Sequence, residues 1–298
     1  MKPKPVTLRD YKLRIQRVLV HIQQHLDEPL RLDQLSAIAC FSSFHFHRVF
    51  RGMVGESVKE YIRRLRLERA ASQLKVGKEP VTRIALDAGY SSHEAFTRAF
   101  NAWFGASPSG FRALRRRRLP EVPSGLHYRR QRSATQFRAL RGGANMRVEI
   151  KRIKPLRVAF MRHVGPYGQV GTTWDKLLPI LGKEGLLGGN PMFIGICHDD
   201  PEVTAPNKLR YDACVTVDHD FHGEGEAGIQ IIGGGEYAVT THQGPYNKIG
   251  DTYATLLGQW LPRSGRELGA TPCFEVYLNS PESSPPEDLL TDIYAPLR

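Results

Sequence analysis

Cysteine is scarce: Cys40, Cys197, Cys214 and Cys273 stand far apart in 298 residues, in no metal-type spacing. They read as thiols of a reducing compartment rather than as disulfides or zinc ligands. No apolar run approaches the roughly 20 residues of a membrane span. The opening Met1-Lys2-Pro3-Lys4-Pro5 leads into no signal-like core, so a cytoplasmic protein with no membrane segment is expected. Acidic residues are sparse in one half only. Residues 1–145 hold 28 Lys and Arg against 11 Asp and Glu, a net +17, whereas residues 146–298 hold 14 against 19, a net −5. The length suits two domains, and the basic one carries the footprint of a polyanion partner, because phosphate neutralisation releases counterions.

What is present is a repeat. Phe46, Arg48, Phe50, Gly55 and Ser57 recur fifty positions later as Phe96, Arg98, Phe100, Gly105 and Ser107. One supersecondary unit has been used twice. Each copy follows a short apolar helix and a turn, Leu32 to Ala39 and Val81 to Ala88. Phe46, Phe50 and Val54, like Phe96, Phe100 and Phe104, form an apolar stripe on a helix of about three turns. The opposite faces carry His45, His47, Arg48 and Arg51 in one copy and His93, Glu94, Thr97 and Arg98 in the other. These side chains suit either a solvated face or a helix lying in a DNA major groove.

In chain order, Thr7 to Leu26 reads as a helix, and Ser57 with Glu60 forms a capping box opening a helix to Val76. Arg63, Arg64, Arg66 and Arg69 are expected largely outward on it. That rod, about 28 Å long, would hold two reading heads near one turn of DNA apart. Ser91 with Glu94 reads as a further capping box, and Ser107-Pro108 as the start of a closing helix.

The tandem unit, with Ala88-Gly89-Tyr90-Ser91-Ser92, Phe96-Thr97-Arg98-Ala99-Phe100, Phe104-Gly105-Ala106-Ser107-Pro108 and Phe111-Arg112, resembles the AraC/XylS transcription regulators. The resemblance implies an all-α tandem helix-turn-helix domain of seven helices over residues 1–118, entering successive major-groove segments. Carried over by position, it implies base reading by Phe44, His47 and Arg48 and by His93, Glu94, Thr97 and Arg98. Ser42, Ser43, Ser91 and Ser92 would meet phosphates. Phe44 would suit a thymine methyl, Arg48 and Arg98 guanine, and Glu94 cytosine; Arg98 fits a phosphate contact or a core-edge salt bridge as well. Cys40 departs from the family by standing where the second copy has Gly89, a turn position with positive φ that costs a side chain roughly 1 kcal/mol.

Residues 119–145 follow as a basic linker. It comes after the run Arg115 to Arg118, is rich in Pro, Gly and Arg, and is expected as a solvated, partly disordered connector, with a charged tail touching phosphates as the alternative. The second half then echoes itself. His163, Gly165-Pro166-Tyr167, Trp174, Leu177 and Leu178 recur seventy-nine positions on as His242, Gly244-Pro245-Tyr246, Tyr253, Leu256 and Leu257. Two strand-helix-strand-strand repeats are expected, forming an α+β domain with a curved antiparallel sheet over residues 146–298. The paired histidines, with no third ligand or nucleophile at fixed spacing, read as structural, so no metal, cofactor or catalytic residue is predicted.

Along Phe274-Glu275-Val276-Tyr277-Leu278, parity puts Phe274, Val276 and Leu278 on one face, expected under the helices, and Glu275 and Tyr277 on a groove face. Tyr294 and one of Trp174 or Tyr253 would join them. A carboxylate among aromatic walls suits an organic cation; a surface ion pair for Glu275 is the alternative.

Gly165-Pro166-Tyr167, Asp199-Asp200-Pro201, Leu209 to Cys214, Gly235-Glu236-Tyr237, Phe274 to Leu278 and Asp292-Ile293-Tyr294 together resemble the gyrase-inhibitor-like effector-binding domain. The resemblance implies a ligand site with Glu275 at its centre and Tyr277, Trp174, Tyr253, Tyr294 and Tyr167 around it. The two resemblances together imply a one-component transcription regulator, read as an activator. It would bind promoter DNA as a monomer, sense a small aromatic or cationic effector and contact RNA polymerase. Two rivals stand beside this: a small hydrolase in which Glu275 activates water with Tyr167 or Tyr246, and a protein-interaction module.

Overall fold

The computed structural model describes residues 7–114, 119–129, 137, 139–140, 146–199, 201, 204–217 and 221–298, without the side chain of Phe44. The run Arg115 to Arg118 lies outside them. The chain divides into two compact units. One gathers Phe44–Gly52 with the residues from 146 onward, the other Arg9–Ser43 with residues 53–140.

In the helical unit, α1 (Leu8–Gln24) buries Tyr11, Ile15, Val18, Leu19 and Ile22, a stripe at three- and four-residue steps. α2 (Leu32–Ala39) ends at Cys40, whose φ of 54° and ψ of 42° are left-handed, and Gly89 takes the matching turn at φ 82°. The cost expected at Cys40 is therefore present in the backbone. α3 is Ser43–Val54.

α4 (Val58–Val76) opens on the expected capping box: Ser57 Oγ accepts from the Glu60 amide at 3.2 Å, and Glu60 Oε2 from the Ser57 amide at 2.9 Å. Its second half packs with α5 (Val81–Asp87), α6 (His93–Phe104) and α7 (Pro108–Ala113) around Leu67, Leu74, Ile84, Phe96, Phe100 and Phe111. The cap of α6 falls one residue later than expected, with Ser92 Oγ accepting from the Ala95 amide at 3.1 Å.

Two expectations fail along α4. Arg64 is buried, not outward: it binds both Glu56 oxygens at 2.9 and 2.6 Å, Glu68 Oε1 at 2.9 Å and the Leu126 carbonyl at 2.9 Å. Arg66 and Arg69 likewise donate to the carbonyls of Leu26 and Asp87. The described start of the linker is no solvated connector either. Leu126 and Ser124 are buried, and Glu68 Oε2 accepts from the Tyr128 amide at 2.7 Å. A buried carboxylate needs donors on every lone pair it can fill, and this strand of chain supplies them.

The other unit contains one antiparallel sheet. Its strands are β1 (Glu149–Ile153), β2 (Leu156–Val164), β3 (Phe193–Cys197), β4 (Arg210–Thr216), β5 (Gly228–Ile232), β6 (Gly235–Gln243), β7 (Phe274–Tyr277) and β8 (Leu290–Pro296), in the order β1-β6-β8-β7-β3-β4-β2-β5. The two expected repeats are β2-α8-β3-β4, with α8 at Gly171–Lys183, and β6-α9-β7-β8, with α9 at Ile249–Thr255. α9 runs on through a π turn at Leu256–Trp260 into α10 (Leu261–Ser264). The edge strands β1 and β5 were not anticipated; they are short and flank the repeats. Only Lys154 and Pro155 separate β1 from β2, and Gly233 and Gly234 separate β5 from β6, although each pair stands toward opposite ends of the order. So short a link forces the sheet to curl until its edges approach, as the curved sheet expected from sequence requires.

Candidate functional site

Glu275 sits at the middle of the sheet, where the two repeats meet, paired with Gly195 on β3 and Ile293 on β8. The cross-sheet row runs on through Ala213 to Met161, residues that pack under Leu177 and Leu181 of α8. Parity divides β7 as expected, but the helices cover the other side. Phe274 and Val276 belong to a core of strand residues with Val158, Ile194, Cys214 and Val239. Glu275 and Tyr277 lie on the face that bears the helices. Tyr294 is corrected by the same register: it pairs with Phe274 and stacks on it at 4.6 Å, on the face away from Glu275.

The carboxylate of Glu275 is buried and its oxygens are occupied. Oε2 accepts from Tyr277 Oη at 3.0 Å; Oε1 accepts from Tyr253 Oη at 3.2 Å and from Cys197 Sγ at 3.8 Å. A second layer follows, with Tyr211 Oη 3.0 Å from Tyr277 Oη and Trp174 Nε1 donating to Tyr211 Oη at 3.2 Å. Trp174 and Tyr246 close edge-on against the Tyr277 ring at 6.1 and 5.5 Å. Both Trp174 and Tyr253 thus join the site. Tyr167 stands further out, its hydroxyl donating to the Asp199 carbonyl at 2.5 Å.

Burial raises the Glu275 carboxyl, held back by the Tyr277 hydrogen bond, the charge of Arg48 and the bonds from Tyr253 and Cys197. Burial keeps water from the carboxylate, and the positive charge that acts on it is that of Arg48. Cys197, Tyr211, Tyr246 and Gly195 were not predicted for the effector site, although Tyr246 was named for the hydrolase. The register of the two repeats relates them: β3 and β4 match β7 and β8 eighty residues on, one more than the seventy-nine of the sequence echo, so Gly195 matches Glu275 and Cys197 matches Tyr277.

The paired histidines have matching roles. His163 Nε2 meets the Pro166 carbonyl at 3.2 Å and its Nδ1 meets Thr173 Oγ1 at 3.2 Å. His242 repeats this with the Pro245 carbonyl at 3.4 Å and Thr252 Oγ1 at 2.7 Å. Nε2–H donating and Nδ1 accepting satisfies all four contacts. Among the described residues no group of three or more His, Cys, Asp and Glu could hold a metal ion, and no helix is long and apolar enough to cross a membrane.

On α6, His93, Glu94 and Arg98 are exposed and Thr97 half-buried; just before it, Ser91 is exposed and the capping Ser92 half-buried. On the first copy, Ser43 is exposed, Ser42 and Arg48 are half-buried, and His47 is buried. The side chain of Phe44 lies outside the described residues. Arg48 is in the sheet-bearing unit, its Cζ 4.0 Å from the centroid of the Tyr253 ring.

Residues 146–298 match the model of the GyrI-like small molecule binding domain, and residues 35–114 match a helix-turn-helix domain model. The chain is similar to the right origin-binding protein of Escherichia coli K12, 37% identical over 98 residues, which is 33% of this chain and 34% of that protein. It is similar to the regulatory protein SoxS of Salmonella typhimurium, 36% identical over 98 residues, 33% of this chain and 92% of SoxS. The chain thus spans about a third of the length of the first relative. Among solved structures, the C-terminal domain of EcmrR aligns with a TM-score of 0.42 and 20% identity, over 52% of this chain and 98% of that one.

Proposed function

The chain belongs to the GyrI-like small molecule binding family and carries an AraC-type helix-turn-helix domain ahead of that module, and from this premise we propose that it is a DNA-binding transcription regulator gated by a small organic cation. Residues 1–118 would bind promoter DNA, residues 119–145 link, and residues 146–298 bind the effector. The observation that carries the reading is Glu275: a buried carboxylate whose oxygens take hydrogen bonds from Tyr253 and Tyr277, with Trp174 against the Tyr277 ring. Negative charge and aromatic faces attract a desolvated cation together. The basic helical half supplies phosphate neutralisation.

His93, Glu94, Thr97 and Arg98 on α6 are the base-reading set of the second copy, and Phe44, His47 and Arg48 that of the first; Ser42, Ser43, Ser91 and Ser92 contact phosphates. Two reading heads in one chain suit a monomer on an asymmetric site. Activation through RNA polymerase is the sense of regulation proposed, acting in the cytoplasm. The test is calorimetric titration of the full chain with tetraphenylphosphonium, with neutral triphenylphosphine oxide as control. Saturable binding of the cation alone, lost in Glu275→Gln, supports the reading; equal binding of both compounds contradicts it.

A hydrolytic Glu275 has one observation in its favour, the raised carboxyl that a general base needs. Against it, Tyr167 spends its hydroxyl on backbone carbonyls. Turnover of an activated aryl ester by the full chain, abolished in Glu275→Gln, would favour the enzyme.

A further inference from the structure

The two copies of the helix-turn-helix repeat differ in what covers their polar faces. His93, Glu94 and Arg98 on α6 are exposed, whereas on α3 His45 and His47 are only 2% and 7% exposed. Within the sheet-bearing unit the α3 face is met by α9 and its continuation. Arg48 lies over the ring of Tyr253, whose hydroxyl donates to Glu275. One turn on, Arg51 Nη2 donates to Asp251 Oδ1 at 2.8 Å. Beside it, a Cβ on Gly52 would collide with the Ala254 carbonyl oxygen and stand 2.7 Å from Gly258 Cα. Positions 48, 51 and 52 share one helix face, so three anchors line a single contact.

Gly52 is the telling residue. Glycine inside a helix costs about 1 kcal/mol against alanine, and the second copy has Ala102 at the matching position. The first copy keeps a glycine where helix backbone meets helix backbone. A half-buried guanidinium over Tyr253, whose hydroxyl is bonded to Glu275, is also what a bound organic cation would look like there.

The geometry points to α3 as the resting plug of the Glu275 site: Arg48 holds the place of a cationic effector, so that effector binding and release of the first reading helix compete for one seat. This rests on the small-molecule reading above and adds its sign. A seated Arg48 cannot also read a base, so the apparent operator affinity is the intrinsic one multiplied by the fraction of chains whose α3 is released. A cation that binds only the vacated seat raises operator affinity, and operator DNA raises the affinity for the cation by the same factor. Couplings of this kind run from about fivefold to about 150-fold.

The test uses the full chain, an operator selected with it from random duplexes, and tetraphenylphosphonium as probe. Asp251→Lys sets a like charge against Arg51 at the rim and touches neither Glu275 nor a proposed base-reading side chain. The expected results are faster hydrogen exchange of residues 44–52 when the probe saturates the wild type, and the same loss of protection in Asp251→Lys without probe, with operator binding at least about fivefold tighter. Unchanged exchange of residues 44–52 at probe saturation would overturn the proposal, as would Asp251→Lys losing that protection with no gain in operator affinity. If Asp251→Lys keeps its protection, Gly52→Ala, whose Cβ would collide with the Ala254 carbonyl oxygen, replaces it with the same two criteria. Should the probe bind neither wild type nor variant, the small-molecule reading fails while the variant arm still decides whether α3 and operator compete.

Discussion

Gly195 and Glu275 are direct partners across β3 and β7, and only one of them has a side chain. By register they are also equivalent positions of the internal repeat, eighty residues apart, Gly195 facing Ala213 as Glu275 faces Ile293. The sheet's pseudo-symmetry would place two carboxylates side by side; the glycine leaves one, and over its bare backbone lie the hydroxyls of Tyr277 and Tyr211. Like charges that close would force one to stay protonated.

Gly195→Ala tests that arrangement. Its Cβ would collide with Tyr277 Oη and stand 2.7 Å from Tyr211 Oη, so the two tyrosines must move and loosen their hold on Glu275. The expected cost is about 1–3 kcal/mol, read by urea unfolding, with weaker tetraphenylphosphonium binding by calorimetry.

Glu275→Gln separates binding from stability. Because burial raises the carboxyl above its ordinary 4.5, the folded state favours the protonated form. The stability tied to that preference is fully present below pH 4.5 and is lost as pH rises through the folded value. Glutamine stays neutral throughout. The variant is expected to match wild type in acid and to exceed it in unfolding free energy toward neutral pH, while its affinity for the cation falls.

Asp212 has the opposite sign. Burial alone would raise it, but hydrogen bonds from Arg162 at 2.7 and 2.8 Å and from His198 at 2.8 Å bring it down to about 2. Its stabilising effect is present above pH 3.8 and is lost as pH falls toward 2. Asp212→Asn should therefore flatten the stability profile between about pH 4 and 2, measured by acid titration of the near-ultraviolet circular dichroism.

His163→Ala and His242→Ala should each destabilise the sheet-bearing unit by about 1–2 kcal/mol, since each breaks two hydrogen bonds that fix a turn to a helix start. Neither should change cation affinity more than twofold, and zinc or a chelator should leave both unfolding curves unmoved. A larger loss of binding than of stability would give the histidines a functional part.

Much of this was legible because periodicity reports burial. The Phe46 and Phe96 stripes, the Ser57 capping box and the alternation in β7 follow from single-residue chemistry that tertiary context does not override. Which side of β7 the helices cover was not legible, because both faces are apolar enough: Phe274 and Val276 meet other strands, while Glu275 and Tyr277 bury by hydrogen bonding to each other. Tyr294 was misplaced for the same reason. Arg64 looked solvent-bound because an arginine on a charged helix usually is; of its partners only Glu68 lies one helical turn away, while Glu56 precedes the helix and the Leu126 carbonyl is sixty-two residues away.

The most direct measurement is selection of duplex operators from a random pool by the full chain with and without tetraphenylphosphonium, followed by quantitative binding of Arg48→Ala and Arg98→Ala. The account predicts that the cation tightens binding, and that each variant relaxes base preference at its own position, the two lying about one helical turn apart. Uniform weakening of both variants on every sequence, with no effect of the cation, would contradict it.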